Sequence, residues 1–185
     1  PDAISSAEFF IHFINHSSEY LWRSTSTDDF VDTFNQTYEL DVVEEHPLVG
    51  KKIPTTEFDL ILGEGKSLSD YEGVVVVDIW ATWCGPCIQN MPHLQSIADR
   101  YKDKGVTVVG ISVDENKEDV QEFFNTSPEL SYTVGWFGET GFEHFDIDAI
   151  PSIFVLDSNG IVQGYFQGFS GDEVEELLKG MLDAQ

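Results

Sequence analysis

The sequence predicts an α/β domain in which a central mixed β-sheet carries helices on both faces, with a helical extension ahead of it. Three observations predict it. From about residue 56 onward, apolar runs of strand length alternate with stretches of helical periodicity. Val74 to Trp80 is apolar at every position but Asp78, the mark of a strand buried on both faces. Asp157-Ser158-Asn159-Gly160 stands between two further strand candidates and signals a hairpin, which adds antiparallel pairing to an otherwise parallel-dominated sheet.

In chain order, residues 1–50 read as a helical extension and linker, and residues 51–185 as the α/β domain. Ser5 and Glu8 form a capping-box pattern, with Phe9, Phe10, Phe13 and Ile14 following at helical spacing. Thr27-Asp28-Asp29 starts a second short helix, with Phe30, Val31 and Phe34 behind it. A linker runs through His46-Pro47 and Lys51-Lys52-Ile53-Pro54. Phe58 to Leu62 is a strand candidate ending in Gly63-Glu64-Gly65, and Val74 to Trp80 is the buried strand. A helix opens at the cysteine pair and runs to Lys104. Arg100, Lys102 and Lys104 suit its negative end, and Gly105 stops it. Val106 to Val113 is the next buried strand, and Asn116 to Asn125 the next helix. Tyr132 to Trp136 is a short strand, followed by a short helix from Gly141 to Phe145. Ser152 to Leu156 and Ile161 to Phe166 flank the hairpin turn, and Asp172 to Leu182 closes as an amphipathic helix.

A hydrophobic fraction of 41% is too high for a disordered chain, and 185 residues can bury a real core. No apolar run approaches the ~20 residues of a membrane helix, so direct membrane insertion is not expected. The chain opens at Pro1 without an initiator methionine or a signal-like segment, which leaves room for a leader, an anchor or a larger region upstream. Nine Lys and Arg stand against 34 Asp and Glu, a formal net charge of −25. Nucleic acid is therefore not expected as a partner, since its phosphates would be repelled, and anionic membrane surfaces are disfavoured likewise. Such acidity reads first as a solvated surface and second as steering toward a basic partner.

The two cysteines lie three apart, which excludes a disulfide scaffold. Cys84-Gly85-Pro86-Cys87 directly follows the buried strand and opens a helix. Cys84 then sits at the positive end of the helix dipole, where unpaired amides favour a thiolate. Pro86 suits the first helical turn, where its missing N–H is not needed. Cys87 lies one turn on, close enough to attack a mixed disulfide but directed inward. The expected chemistry is attack by Cys84 on a substrate disulfide, then resolution by Cys87. Three plainer readings stand beside it. Half of a zinc site would need further ligands, yet no third Cys exists and His12, His16, His46, His93 and His144 are scattered. A structural disulfide closing so short a loop would contribute little stability, and two thiols can simply pack. No metal is expected, and no cofactor beyond the redox-active Cys84–Cys87 disulfide itself. Asp78 interrupts a run of valines in a strand that should be buried, so its pKa should rise. The plainer alternative puts it at the strand end, partly solvated by a groove.

Val77-Asp78-Ile79-Trp80-Ala81-Thr82-Trp83-Cys84-Gly85-Pro86-Cys87 resembles the signature of the thioredoxin superfamily, and the similarity runs from about Phe58 to Leu182. The resemblance implies a thioredoxin-like fold for residues 51–185 and thiol–disulfide oxidoreductase activity. It implies that Ile150-Pro151 faces the cysteines in a cis peptide bond, a form taken by only about 5–6% of X–Pro bonds. Without it, an ordinary trans proline at a strand start would be expected. The resemblance further implies that Asp78 accepts the proton of Cys87, and that Trp83, Gly85, Pro86, Ile150 and Pro151 shape the surface a substrate meets. The helix, strand and second helix between Asp114 and Pro151 resemble the TlpA/ResA-like and tryparedoxin-like branches, as does Ser67 to Gly73 ahead of the buried strand. TlpA/ResA-like reductases usually carry a Glu three residues after the second cysteine, where this chain has Asn90. They often lack the acidic residue that this chain has at Asp78.

Other motifs read as structure. Trp80 belongs to the core, Trp83 lies beside the cysteines, and His93 is expected on an exposed helix face. Gly65-Lys66-Ser67 ends like a phosphate loop but has Leu60 where that loop needs Gly, and so reads as a turn. Asp114-Glu115-Asn116 lacks the Gly of a calcium loop and reads as helix capping.

The leading functional reading is a protein-disulfide reductase or oxidoreductase, served by an upstream dithiol donor and acting on a protein or small-molecule disulfide. Gly85-Pro86 and Ile150 match thioredoxin, which implies a reducing couple nearer about −270 mV than the about −120 mV of the oxidant DsbA. A peroxiredoxin is the second reading, although Val77 and Ala81 occupy the Pro and Thr positions of its usual motif. The third is a partner-binding module with a regulatory redox site. The TlpA/ResA resemblance leans to a periplasmic or otherwise extracytoplasmic location, while two cysteines and no leader fit the cytoplasm.

Overall fold

The computed structural model describes residues 46–126, 130–168 and 171–183. The two helices expected within residues 1–50 lie outside the described residues. Among the described residues, one sheet contains β1 (Asp59–Leu62), β2 (Val74–Trp80), β3 (Val106–Ser112), β4 (Thr133–Trp136), β5 (Ser152–Leu156) and β6 (Val162–Gln167), in the order β1-β4-β3-β2-β5-β6. The helices are α1 (Gly85–Tyr101), α2 (Lys117–Thr126), α3 (Gly141–His144) and α4 (Gly171–Asp183).

β2 pairs with β3, and β3 with β4, in parallel; β1–β4, β2–β5 and β5–β6 are antiparallel. The sheet is therefore mixed rather than parallel-dominated. Only the β2–β3 and β3–β4 connections contain helices long enough to return the chain in the same sense, α1 and α2. β5 instead runs against both β2 and β6, and β1 folds back along β4. Every residue of β2 is buried, so both sheet faces are covered at this strand. On the face that Trp80 shares with Asp78, Phe123 and Phe124 of α2 lie with ring centroids 5.5 and 5.8 Å from the indole. α1 and α4 are tied together where Arg100 Nη1 and Tyr101 Oη both donate to Glu175 Oε1, at 2.8 and 2.9 Å.

Local signals place the ends of these elements. α1 starts at its Cys84 cap and ends at Tyr101, three residues short of the expected stop. A 3-10 turn from Lys102 to Lys104 then leads to Gly105 at φ 76°. Gly73 adopts φ 78° just ahead of β2, and a Cβ there would meet the Gly105 carbonyl oxygen that accepts from Val74 N. The hairpin turn forms as expected: Asp157 Oδ1 accepts from Asn159 N at 2.8 Å and Ile161 N at 3.0 Å, and Gly160 takes φ 75°. Ser67 caps a short 3-10 helix with Asp70 completing the capping box, so Gly65-Lys66-Ser67 is a turn.

The stretch expected as a linker, residues 46–54, lies against the sheet. Gly50 N donates to Val162 O and Val162 N to Lys51 O, both at 2.9 Å, so these residues cover the outer edge of β6. The His46 ring stacks on Tyr165 at 4.1 Å. Among the described residues, no helix is long and apolar enough to cross a membrane.

Candidate active site

Parallel β2 and β3 end on the same side of the sheet, and the loops that leave them build the site. Cys84 is the N-cap of α1 in extended conformation, with Pro86 in the first turn. It forms a disulfide with Cys87 across a Cα separation of 5.3 Å, and its Sγ accepts from Cys87 N at 3.2 Å. The two cysteines differ slightly in access: Cys84 is 5% exposed and Cys87 fully buried. Gly85 and Pro86 between them are exposed, and Trp83 beside them is 65% exposed. An indole left so open next to a reactive bond offers a contact surface more than a shield. A groove lined by Trp83, Glu115, Asn116, Asp119, Glu139 and Phe142 opens alongside.

The Ile150–Pro151 peptide is cis. Ser152 pairs with Ile79, so Pro151 lies just past the end of that ladder, level with the end of β2 from which Ala81 to Cys84 emerges. Register alone thus brings Pro151 to the same edge of the sheet as Ala81 to Cys84, 67 to 70 residues earlier in sequence.

Asp78 is 1% exposed, and neither carboxylate oxygen has a hydrogen-bond partner. Burial raises its pKa to about 7. It is therefore not a groove-solvated carboxylate. Its neighbour on β3 is Gly110, and a Cβ there would lie 3.2 Å from Trp80 Nε1 and 3.4 Å from the Tyr132 ring. The missing side chain leaves room for these two rings beside the Asp78–Gly110 pair. Burial, and secondarily the Asp78 charge, raises the Tyr132 hydroxyl pKa. Trp80 is core, as expected, whereas His93 is half-buried on α1 rather than exposed.

Asp114 corrects the sequence reading, for it does not cap α2. Only 2% exposed, its carboxylate accepts from Thr82 N at 3.0 Å, Thr82 Oγ1 at 2.6 Å and Ser112 Oγ at 2.7 Å. It clamps the loop that presents Trp83 and Cys84 to the end of β3. The sequence signal was there in a weak form: Thr82 and Asp114 each follow the end of one of two adjacent buried strands. Asp114→Ala is expected to destabilise the protein by on the order of 3 kcal/mol, because it strands a buried amide and two hydroxyls. Thr82→Val, which removes one of the three donors, should cost roughly half that. Urea unfolding of both variants checks the order, and equal losses would contradict the clamp.

Among the described residues, no three His, Cys, Asp or Glu side chains gather as a metal site. Residues 48–180 match the family model described as Redoxin. The chain is 28% identical over 141 residues to the thiol-disulfide oxidoreductase ResA of Bacillus thuringiensis (strain Al Hakam), covering 75% of this chain and 79% of that one. It is 29% identical over 133 residues to the thioredoxin-like protein YneN of Bacillus subtilis (strain 168), covering 70% and 78%. A crystal structure of a thiol:disulfide interchange protein DsbE from Chlorobium tepidum superposes with a TM-score of 0.67 at 29% identity, over 72% of this chain and 97% of that one.

Proposed function

The chain belongs to the Redoxin family and is a thiol–disulfide oxidoreductase of thioredoxin fold, and from that premise we propose that it reduces protein disulfides with electrons from an upstream dithiol. The observation that carries this reading is the disulfide at a helix N-terminus, with Cys84 5% exposed beside the open Trp83 and Gly85 and Cys87 with no exposed surface.

A dithiol donor first opens the Cys84–Cys87 bond: two electrons enter, and the donor's sulfurs become joined. Cys84, favoured as thiolate by the amides and dipole of α1, attacks one sulfur of the substrate disulfide and expels the other as a thiolate. Cys87 gives its proton to Asp78, whose pKa of about 7 suits a base working near neutrality, and attacks Cys84 Sγ. The Cys84–Cys87 bond re-forms and the second substrate sulfur leaves as a thiolate; two electrons have passed to the substrate, and its two sulfurs take their protons from Asp78 and from water. Trp83, Gly85, Pro86, Ile150 and Pro151 frame the approach of the substrate.

Turnover of insulin disulfides with a dithiol tests the reading, and equilibration against glutathione buffers tests the direction. Rapid reduction and a midpoint near about −270 mV are expected. Peroxide consumption without insulin reduction would favour a peroxidase, and a midpoint near about −120 mV would make the protein a disulfide donor. The TlpA/ResA resemblance supports an extracytoplasmic place of work, which fractionation of cells expressing the full gene product checks.

A further inference from the structure

The inward stripe of α1 is apolar except at one position. Cys87, Met91, Leu94, Ile97 and Tyr101 are buried at helical spacing, and Asn90 stands among them with 1% of its surface exposed. Neither its Oδ1 nor its Nδ2 has a hydrogen-bond partner. An amide buried without partners opposes folding, and Leu or Met would fill the same space without that penalty. The disulfide form of the protein therefore gives Asn90 nothing to do.

Its place on the helix indicates what does. Side chains three residues apart on a helix have Cβ atoms about 5–6 Å apart. Helical side chains also lean toward the N-terminus, over the preceding turn. Asn90 thus leans onto the turn that holds Cys87, which is fully buried beside it. While Cys87 is bound to Cys84, its sulfur has no proton to donate and is a weak acceptor. Once that bond opens, the sulfur is released from its partner and carries either a proton or a negative charge. Both forms need a partner in a site closed to water.

We propose that Asn90 is the hydrogen-bond partner of Cys87 in the dithiol form alone, with Oδ1 accepting from the thiol and Nδ2 donating to the thiolate. The inference rests on the disulfide-exchange reading above. When an external dithiol reduces the site, the S–S bond takes up two electrons and breaks. The donor closes to its own disulfide, and its two protons pass to the site or to solvent. Cys87 then turns from Cys84 to Asn90. In the resolving step it gives up the Asn90 bond as it attacks Cys84 Sγ. An interaction made in only one redox state stabilises that state, so Asn90 holds the couple less reducing than the bare helix N-terminus would.

Asn90→Leu tests this through two measurements at pH 7. Equilibration with glutathione buffers should show the disulfide form favoured three- to tenfold more than in wild type, a midpoint lower by about 15–30 mV at 29.6 mV per tenfold. Urea unfolding should show opposite signs in the two redox states: the disulfide form as stable as wild type or more so, the dithiol form less stable. A merely structural Asn90, or one bonded to Asp78 in both states, would change both forms alike and leave the midpoint in place. That result, or a midpoint shifted upward, overturns the proposal. If Asn90→Leu does not fold, Asn90→Ala supports the same comparison. Both measurements report on the couple itself, so they stand whether or not the wild-type protein turns over insulin, which alone decides the exchange reading.

Discussion

Cys84→Ser is expected to abolish disulfide exchange, whereas Cys87→Ser should still attack substrates and remain joined to them as mixed disulfides. The asymmetry follows from position. Cys84 caps α1 and keeps a small exposed area, 5%, between exposed Trp83 and exposed Gly85, which is where a substrate disulfide would have to approach. Cys87 has no exposed surface, and an incoming disulfide cannot reach it without opening the helix. Removing Cys84 therefore removes the nucleophile, and removing Cys87 removes only the means of release. Brief iodoacetamide pulses on the reduced protein, read by mass spectrometry, provide a direct check. Cys84 should be alkylated well before Cys87, because it is both more accessible and more readily ionised. The reverse order would overturn the assignment of roles.

Asp78→Asn is expected to do two opposite things, slowing resolution while stabilising the fold. Asp78 lies in the centre of the sheet with both oxygens unpartnered, and burial raises its pKa from 3.8 to about 7. The sign of the linkage follows. Between pH 4 and 7 the native carboxyl keeps a proton that the unfolded chain has lost, so stability falls as pH rises through that window. Above pH 7 the native state carries a buried charge, at a penalty of up to about 4 kcal/mol. Asparagine never ionises. The variant should match wild type near pH 4 and gain progressively up to pH 8, as urea unfolding at the two pH values would show. A gain equal at both would mean that burial of the charge is not the cause. For catalysis, losing a general base poised near neutrality should slow resolution of the mixed disulfide on the order of 100-fold at pH 7. The pH dependence with a midpoint near 7 should vanish with it, and an unchanged profile would remove Asp78 from the mechanism.

Much of this site is written in a short stretch of chain. A buried strand followed at once by Trp83-Cys84-Gly85-Pro86-Cys87 needs only neighbours in sequence to make sense. The near-continuous apolar run of β2, the N-cap at Cys84, the proline in the first turn and the left-handed Gly105 beyond the helix all depend on neighbours in sequence. Even the anomaly of Asp78 was legible, because a charge within a run of valines is conspicuous wherever the strand ends up.

Other features depend on which segments become neighbours in space. Asp114 looked like a helix cap because acidic residues before a helix usually are. It became a clamp because β3 pairs with β2 in a register that sets Asp114 against Thr82, 32 residues away in sequence. Residues 46–53 looked like a linker until their backbone found the open edge of β6. Asn90 looked like a substitution in a family pattern, and only packing shows it to be a polar side chain sealed beside Cys87 without a partner. By itself, the sequence determined the strands and helices from residue 58 onward and the redox pair, since their signals act over three or four residues through backbone hydrogen bonding and side-chain periodicity. The tertiary structure alone decided strand order, the clamp and the polar atoms left unpaired around Cys87. Those depend on burial and on contacts between distant segments, and no local pattern encodes which distant segment will supply the other half of a hydrogen bond.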